Sequence, residues 1–216
     1  MTEQLMVKQE RAVRTRDALI RSAAEVFDRE GFALASLTSI SSLAGVSKGA
    51  LHHHFVNKAA LTDAVEEAAL TRLLSVAGVV PPRGVSRVQL LVDVTHRLAR
   101  ALREDVVLRV GFELSGEVSR PVRVDLREWW RRWVGEKVLQ AEGDGELRPG
   151  VTASDAVNAV VSATVGLEVL GARDAEWLSG ATITRFWLLL LPAVVSDGLL
   201  ADLKAEGAWC GGVVAP

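Results

Sequence analysis

Residues 36–58 read SLTSISSLAGVSKGALHHHFVNK, and their pattern predicts two short helices joined by a tight turn. The first helix is indicated by apolar residues at helical spacing: Leu37, Ile40, Leu43 and Ala44. Ser36 is its expected N-cap. Gly45 can adopt the positive φ that often follows a helix, and Ser47 can cap a second helix that begins at Lys48. The stretch therefore predicts a helix-turn-helix.

The second helix is predicted to bury Leu51 and Phe55 against the first. Its outward face then contains small, polar or cationic residues: Lys48, Gly49, His52 and His53. A face of this kind fits the major groove of DNA. The three consecutive histidines do not predict a metal site, because neighbouring helical residues point about 100° apart and cannot converge on one ion.

These residues resemble the DNA-binding domain of the tetracycline-repressor (TetR) family of transcriptional regulators. The resemblance lies in GVSKGALHHHF at residues 45–55 and NKAAL at residues 57–61, and it runs without gaps from Ser36 to Leu61. Within that family, QERAVRTRDALIRSAAEVFDREGF at residues 9–32 and a Trp in the C-terminal half resemble the γ-butyrolactone receptor branch of actinomycetes. The family usually has Tyr, which helps to grip the phosphate backbone, at the position of His52.

Double-stranded operator DNA is the partner that this resemblance implies. Ser47 and Lys48 are expected to contact base edges or the adjacent backbone. Three further residues are expected to hold phosphates: Ser36, Thr38 and Lys58. The last of these lies in the first turn of a predicted helix, where free N–H groups also favour a phosphate. The arginines near the start of the first helix, Arg11, Arg14 and Arg16, either touch phosphates or are solvated.

The charge distribution agrees with a DNA-binding N-terminal region. The chain has 216 residues, 49% of them hydrophobic, and a formal net charge of -2. Residues 1–60 nevertheless contain 8 Lys and Arg against 6 Asp and Glu, together with three of the four His. The basic side of the protein is thus the helix-turn-helix side.

A cytoplasmic location is expected from the cysteine content and from the absence of targeting patterns. The single cysteine, Cys210, excludes an intrachain disulfide. No signal-peptide pattern opens the chain. The longest apolar run, Phe186–Val195, is about half of the roughly 20 residues that a membrane helix needs. No membrane partner is expected.

The rest of the chain has helical periodicity without strand alternation, so the sequence predicts an all-α protein of about nine helices. A flexible arm to Lys8 precedes the first helix, which ends at Glu30. GVVPPRG at residues 78–84 predicts a linker, and the helices expected after it span 86–103, 105–116, 121–142, 153–170 and 181–203. The predicted domains are a DNA-binding domain at 1–57, a connecting helix at 58–78, and a ligand-binding and dimerisation domain at 79–216.

Tryptophan usage indicates where a ligand would bind. All six Trp lie beyond residue 128, where Trp129 and Trp133 share one predicted helical face and Trp130 lies on another. They are either core anchors or, in one case, part of an apolar cavity between helices. The resemblance favours Trp129, because Glu128-Trp129 matches the Trp that contacts the autoregulator in butyrolactone receptors. Further pocket candidates are Phe112, Leu91 and Val161.

The last two predicted helices are apolar nearly all round, so they need partners on more than one side. We expect them to pair with their symmetry mates as a four-helix bundle in a homodimer. The predicted interface residues are Val157, Val160, Phe186, Trp187 and Leu190.

Two functions from different classes agree with these features. In the first, the protein is a homodimeric transcriptional repressor that a small apolar molecule releases from DNA. In the second, it binds or sequesters a small molecule and uses its helix-turn-helix only for packing. The presence of Lys48 on an otherwise small face argues against the second function. No signature of an enzyme, a metal centre or a phosphate-binding loop is present, so neither a catalytic residue nor a cofactor is expected.

Overall fold

The computed structural model describes residues 2–78, 84–117 and 122–208. Over these residues it contains ten α-helices, nine of them at least seven residues long, and no strand. The helices are α1 (Thr2–Glu30), α2 (Leu37–Leu43), α3 (Lys48–His54), α4 (Lys58–Ala77), α5 (Arg87–Glu104), α6 (Val106–Ser115), α7 (Leu126–Gly143), α8 (Ala153–Gly171), α9 (Gly180–Val194) and α10 (Asp197–Leu200). A 3-10 turn, Ala175–Leu178, precedes α9. The predicted all-α class is confirmed.

The described residues form two compact units. The first contains the residues up to Arg72 and those from Asp105 to Val124, and the second contains Leu73–Glu104 and the residues from Asp125 onward. The chain therefore passes from one unit to the other within α4, and α6 belongs to the first unit. The predicted division at residues 57 and 78 instead placed α6 with the ligand-binding domain.

The first unit is built on α1, whose apolar stripe is buried at Leu19, Ile20, Ala23, Val26 and Phe27. An ion pair ties α6 to α1, since Arg109 donates to the Asp28 carboxylate through Nε at 2.9 Å and Nη2 at 3.1 Å. Asp105 caps the start of α6 and also accepts from Nε of Arg72, in α4, at 2.5 Å. These contacts fix α6 against the helices that carry the helix-turn-helix.

In the second unit, two polar contacts join α7 to α8. Trp130 Nε1 donates to Thr164 Oγ1 at 2.8 Å. Arg127 donates to both carboxylate oxygens of Glu168, at 3.0 and 3.2 Å. Burial raises the pKa of the Glu168 carboxyl, and the Arg127 guanidinium opposes that shift. Buried polar groups with partners of this kind specify how two helices pack.

The predicted helix 181–203 is interrupted, so this part of the sequence prediction is wrong. α9 ends at Val194 because the chain there bonds to the loop after α7. Arg148 N donates to Val194 O at 2.8 Å, and Ser196 N donates to Glu146 O at 2.9 Å. Together these two bonds form an isolated bridge at Val195. A bond between distant segments thus overrides the local helical pattern.

Two predicted helix starts also differ from the structure. α1 begins at Thr2, so the segment up to Lys8 is helical instead of a flexible arm. α7 begins at Leu126, where the Asp125 side chain accepts from the Glu128 N–H and caps the helix. Several predicted features lie outside the described residues: the linker prolines Pro81 and Pro82, Pro121 and Cys210.

By length and composition alone, α8 is the one helix of the described ranges that could cross a membrane. It nevertheless carries Glu168, which is 6% exposed and paired with Arg127. Its apolar residues Val169 and Leu170 are exposed in the single chain. An apolar helix face of this type also suits packing against another helix.

Candidate nucleic-acid interface and ligand cavity

The turn and both caps of the helix-turn-helix lie where the sequence predicts them. Ser36 Oγ accepts from the Ser39 N–H at 3.0 Å and caps α2, and Ser47 Oγ accepts from the Ala50 N–H at 3.1 Å and caps α3. Between them Gly45 has a φ of +66°, which a residue with a Cβ adopts at a steric cost. Local hydrogen bonds therefore fix where each of the two helices begins.

The packing of this helix pair leaves one face of α3 free in the chain. Ile40, Leu51 and Phe55 are buried as expected, whereas Leu43 at the end of α2 is 43% exposed. The residues predicted to contact DNA, with Lys58 excepted, are exposed: Ser36, Thr38, Ser47, Lys48, Gly49, His52 and His53. We call Ser47, Lys48, Gly49, His52 and His53 the recognition face.

Gly49 lies in the middle of the recognition face without an internal reason to be glycine. A Cβ added there would find its nearest neighbour, Ser47 Oγ, at 3.9 Å, an ordinary van der Waals distance. Alanine also favours a helix more than glycine does. The bare backbone instead leaves room for another molecule to approach α3 closely.

The Lys58 ammonium faces the protein. It donates to the backbone oxygens of Phe32 and Ala33, in the turn after α1, and lies 4.4 Å from the centroid of the Phe32 ring. Burial lowers the pKa of the Lys58 ammonium. Lysine has three donor hydrogens, and two are directed at these carbonyls. The side chain thus ties the α1–α2 turn to the start of α4, a role that the sequence did not indicate.

Arg16 is a further cation beside the helix-turn-helix. Its guanidinium carbon lies 5.4 Å from the centroid of the Phe55 ring, at the end of α3, and the side chain is exposed. This geometry is that of a cation–π contact. Arg16 was one of three equivalent arginines in the sequence, and no spacing rule links the first helix to the end of the third.

The second unit contains an apolar cavity whose lining comes from α5, α7, α8, α9 and the loop after α7. We call it the Trp187 cavity, because every other lining residue is Val, Leu or Ala. Its volume is about 10 Å³, roughly the space of one water molecule. Ligand sites of drug-like molecules hold about 300–1,000 Å³. The cavity is therefore too small for a ligand of that size with the helices in this arrangement.

The structure brings only part of the predicted ligand site to this cavity. Leu91 lines it, but Val161 and Trp129 are half-buried and line neither the Trp187 cavity nor the second cavity, between α5, α8 and α9. Phe112 is buried in α6, within the first unit. Trp130 and Trp133 are the buried tryptophans of α7, stacked with centroids 5.2 Å apart.

The residues predicted at the dimer interface fall into two groups. Val160 and Trp187 are each 2% exposed, so their own chain already covers them, and both line the Trp187 cavity together with Leu190. Val157 and Phe186 are half-buried. The large apolar side chains of α9 that are exposed to solvent are Leu188 and Leu189, the latter 81% exposed. Helical periodicity located the apolar helix but could not choose which side of it faces outward.

No group of three or more His, Cys, Asp or Glu side chains within the described ranges is placed to hold a metal ion. His52 and His53 are exposed, and the His53 and His54 rings meet edge to face with centroids 5.5 Å apart. The histidine run therefore forms part of a polar surface.

Sequence comparison places the helix-turn-helix in a known family. Residues 19–65 match the model of "Bacterial regulatory proteins, tetR family". The A-factor receptor protein of Streptomyces griseus is 30% identical over 207 residues, which is 94% of this chain and 71% of that protein. The regulator UidR of Escherichia coli K12 is 27% identical over 172 residues, 76% of this chain and 84% of that protein.

Solved structures give the same relationship over both units. A γ-butyrolactone receptor described as ArpA-like matches with a TM-score of 0.73 at 27% identity, covering 88% of this chain and 93% of that one. CprB of Streptomyces coelicolor, in complex with its biological operator sequence, matches with a TM-score of 0.74 at 28% identity, covering 89% of this chain and 94% of that one.

Proposed function

Because the chain belongs to the TetR family of transcriptional regulators, in the branch of the γ-butyrolactone receptors, we propose that it is a ligand-responsive repressor. It binds operator DNA as a homodimer in the cytoplasm, and a small apolar effector releases it. The effector is a γ-butyrolactone-type signal or an antibiotic-like metabolite, and the regulated genes serve secondary metabolism. The observation that carries the proposal is the exposed recognition face on a capped helix pair.

DNA recognition is assigned to α3 in the major groove. Lys48 and Ser47, at its N-terminal end, contact base edges or the adjacent backbone, which is where recognition helices present their reading residues. Gly49 allows the backbone of α3 to approach the bases. Ser36 and Thr38 hold phosphates from the start of α2, and both are exposed.

Two residues differ from this simple assignment. Lys58 directs two of its three donor hydrogens at backbone carbonyls, so at most one remains for a phosphate. His52 stands where the family usually has Tyr, and it is exposed on the recognition face. We propose that His52 keeps a weaker backbone contact and that Arg16, beside Phe55, adds positive charge near it.

A homodimer matches the way in which a helix-turn-helix protein binds the two half-sites of an operator. Half-sites lie one helical turn apart, about 34 Å or a multiple of it, and two recognition helices at a fixed distance match that spacing. In this chain the exposed Leu188 and Leu189 of α9 and Val169 and Leu170 of α8 offer the apolar surface that a second copy would cover. Sedimentation as a dimer at micromolar concentration is the expected result, and a monomer would contradict the assignment.

The small volume of the Trp187 cavity supports release by an effector that changes how the helices pack. A ligand that binds both states equally shifts nothing, so an effector must favour one conformation. Since the cavity has room for about one water, binding of a larger molecule there would require the lining helices to separate. A coupling of about 1–3 kcal/mol, a 5- to 150-fold loss of operator affinity, is ordinary for such a switch.

The test uses the purified full chain and DNA from upstream of its own gene. The protein should retard that fragment in the presence of excess unrelated DNA, and small molecules that co-purify with it, identified by mass spectrometry, should reverse the retardation. Binding of small molecules without any specific retardation would favour the sequestering protein instead.

A further inference from the structure

Three of the four histidines of the chain are consecutive in α3, and they differ in exposure. His52 and His53 are exposed on the recognition face, and His52 lies one helical turn after Lys48. His54 lies on another side of the helix, where it is half-buried and its ring centroid is 6.4 Å from that of Phe55. Two imidazoles are therefore presented at the surface that we assign to DNA.

The charged groups around these two imidazoles are cations. Lys48 lies on the same face, and α1 contributes Arg16, whose guanidinium makes a cation–π contact at the end of α3. α2 contains no titratable residue, and the Lys58 ammonium at the start of α4 is directed at backbone oxygens. The sequence of residues 31–62 contains no Asp or Glu. The helix-turn-helix thus supplies no carboxylate to pair with a protonated imidazole, and a DNA phosphate would be its counter-charge.

We propose that operator binding is linked to proton uptake by His52 and His53, so that affinity rises as the pH falls. A neutral imidazole has one N–H donor, whereas an imidazolium has two donors and a positive charge that attracts phosphate. DNA therefore binds the protonated form more tightly, and by reciprocity DNA binding favours protonation. Because the ligand of this face is operator DNA, the linkage rests on the proposed repressor function.

The pH window is that of histidine, the side chain whose ordinary titration lies between about pH 5 and 8. The added affinity should be present in mildly acidic solution and lost as the pH rises to about 8. The fourth histidine, His96, is buried in the second unit, and its Nε2 lies 2.9 Å from the Ala205 carbonyl oxygen. A carbonyl only accepts, so this nitrogen carries a hydrogen in either protonation state.

The experiment measures operator affinity at about pH 6 and about pH 8, at one ionic strength, by fluorescence anisotropy with labelled upstream DNA. The parent should bind roughly tenfold more tightly at the lower pH, through charge-assisted contacts to phosphate. The double variant His52→Gln, His53→Gln keeps polar side chains but cannot gain charge. It should match the parent at the higher pH and should not tighten at the lower one. His54→Gln is the matched control from the same helix, and it should retain the parent's pH dependence.

Two further readouts separate proton uptake from a change in folding. The salt dependence of operator binding should be steeper at the lower pH, by roughly one unit for each histidine that meets a phosphate, in the parent and in His54→Gln but not in the double variant. Calorimetry in two buffers of different ionisation enthalpy should detect protons taken up when the parent binds DNA, and fewer when the double variant does.

Equal affinity of the parent at the two pH values, or a pH dependence that persists in the double variant, would overturn the linkage. Specific retardation of the upstream DNA at about pH 8, where histidine is mostly neutral, tests the repressor function separately. Retardation without pH dependence would refute the linkage alone, whereas no retardation at either pH would refute both proposals.

Discussion

The recognition face and the Trp187 cavity differ in the contacts that form them. At the α2–α3 turn, each helix start is closed by a serine hydroxyl, and Gly45 takes the positive φ that the turn requires. The Trp187 cavity, by contrast, is lined by hydrocarbon side chains and the Trp187 ring, and its volume of about 10 Å³ fits about one water. Local hydrogen bonds thus define the first region, and packing among distant helices defines the second.

Both regions are helical, but the functions proposed for them, DNA binding and ligand binding, make different demands on a helix. A helix that reads DNA gains from a rigid geometry, because its side chains must meet bases at fixed positions. A helix bundle that senses a ligand gains from a closed state that the ligand has to open, because the two states then differ in affinity. Four comparisons between variants, in order of decreasing expected effect, test whether the two regions are separate in this way.

The largest effect is expected from Lys48→Ala on operator affinity. Lys48 is the exposed cation at the start of α3, and loss of a base-edge contact should weaken specific binding roughly tenfold or more. Fluorescence anisotropy with labelled upstream DNA measures this change. Arg173→Ala removes an exposed cation of the second unit and should have no comparable effect. Equal losses in both variants would mean that binding depends on net charge alone.

The free energies of unfolding of Trp130→Phe and Trp187→Phe test which of the two buried indole N–H groups has a hydrogen-bond partner. Both variants lose similar packing, but Trp130→Phe also loses the bond to Thr164, whereas Trp187→Phe removes a donor that has no hydrogen-bond partner among the described residues. Trp130→Phe should therefore lower the free energy of unfolding by about 1–3 kcal/mol more than Trp187→Phe does. Urea denaturation of the ligand-free protein gives both values. If Trp187→Phe were the more damaging change, its N–H would have a partner in solution.

Lys58→Met distinguishes a structural lysine from one that binds phosphate. The variant keeps an apolar stem near Phe32 and loses the ammonium that bonds to two carbonyls, so unfolding should require about 1–2 kcal/mol less. The salt dependence of operator binding should change by less than the roughly one unit expected for a full phosphate contact. Lys48→Met serves as the control, with unchanged stability. If Lys58→Met were as stable as the parent and its operator binding depended less on salt, Lys58 would instead be a phosphate contact.

The smallest effect on stability, and of opposite sign, is expected from Gly49→Ala. Alanine should stabilise α3 by about 0.5–1 kcal/mol, since the new Cβ meets only Ser47 Oγ at 3.9 Å. Operator affinity should nevertheless fall, because the methyl group occupies the surface that approaches DNA. Gly45→Ala is the contrasting variant, as its φ of +66° makes the turn strained with any side chain. Unchanged affinity in Gly49→Ala would place the DNA contact elsewhere.

The sequence predicted the helix-turn-helix well because local chemistry determines it. Ser36, Gly45 and Ser47 act on residues three or four positions away, and these spacings are visible in the sequence. The second unit depends on distant partners. The end of α9 at Val194 requires the loop near Arg148, and the burial of Trp187 requires α5, α7 and α8. Periodicity found the apolar helices there, but tertiary packing decides which face of each is buried.

The central proposal is that the recognition face of a stably folded chain reads specific DNA. The most direct test is retardation of the gene's own upstream fragment by the parent protein and by Gly49→Ala, in excess unrelated DNA, with the unfolding of both proteins measured in parallel. The account predicts specific retardation by the parent, and weaker retardation by a variant that is at least as stable. Equal retardation by both proteins, or none by the parent, would contradict it.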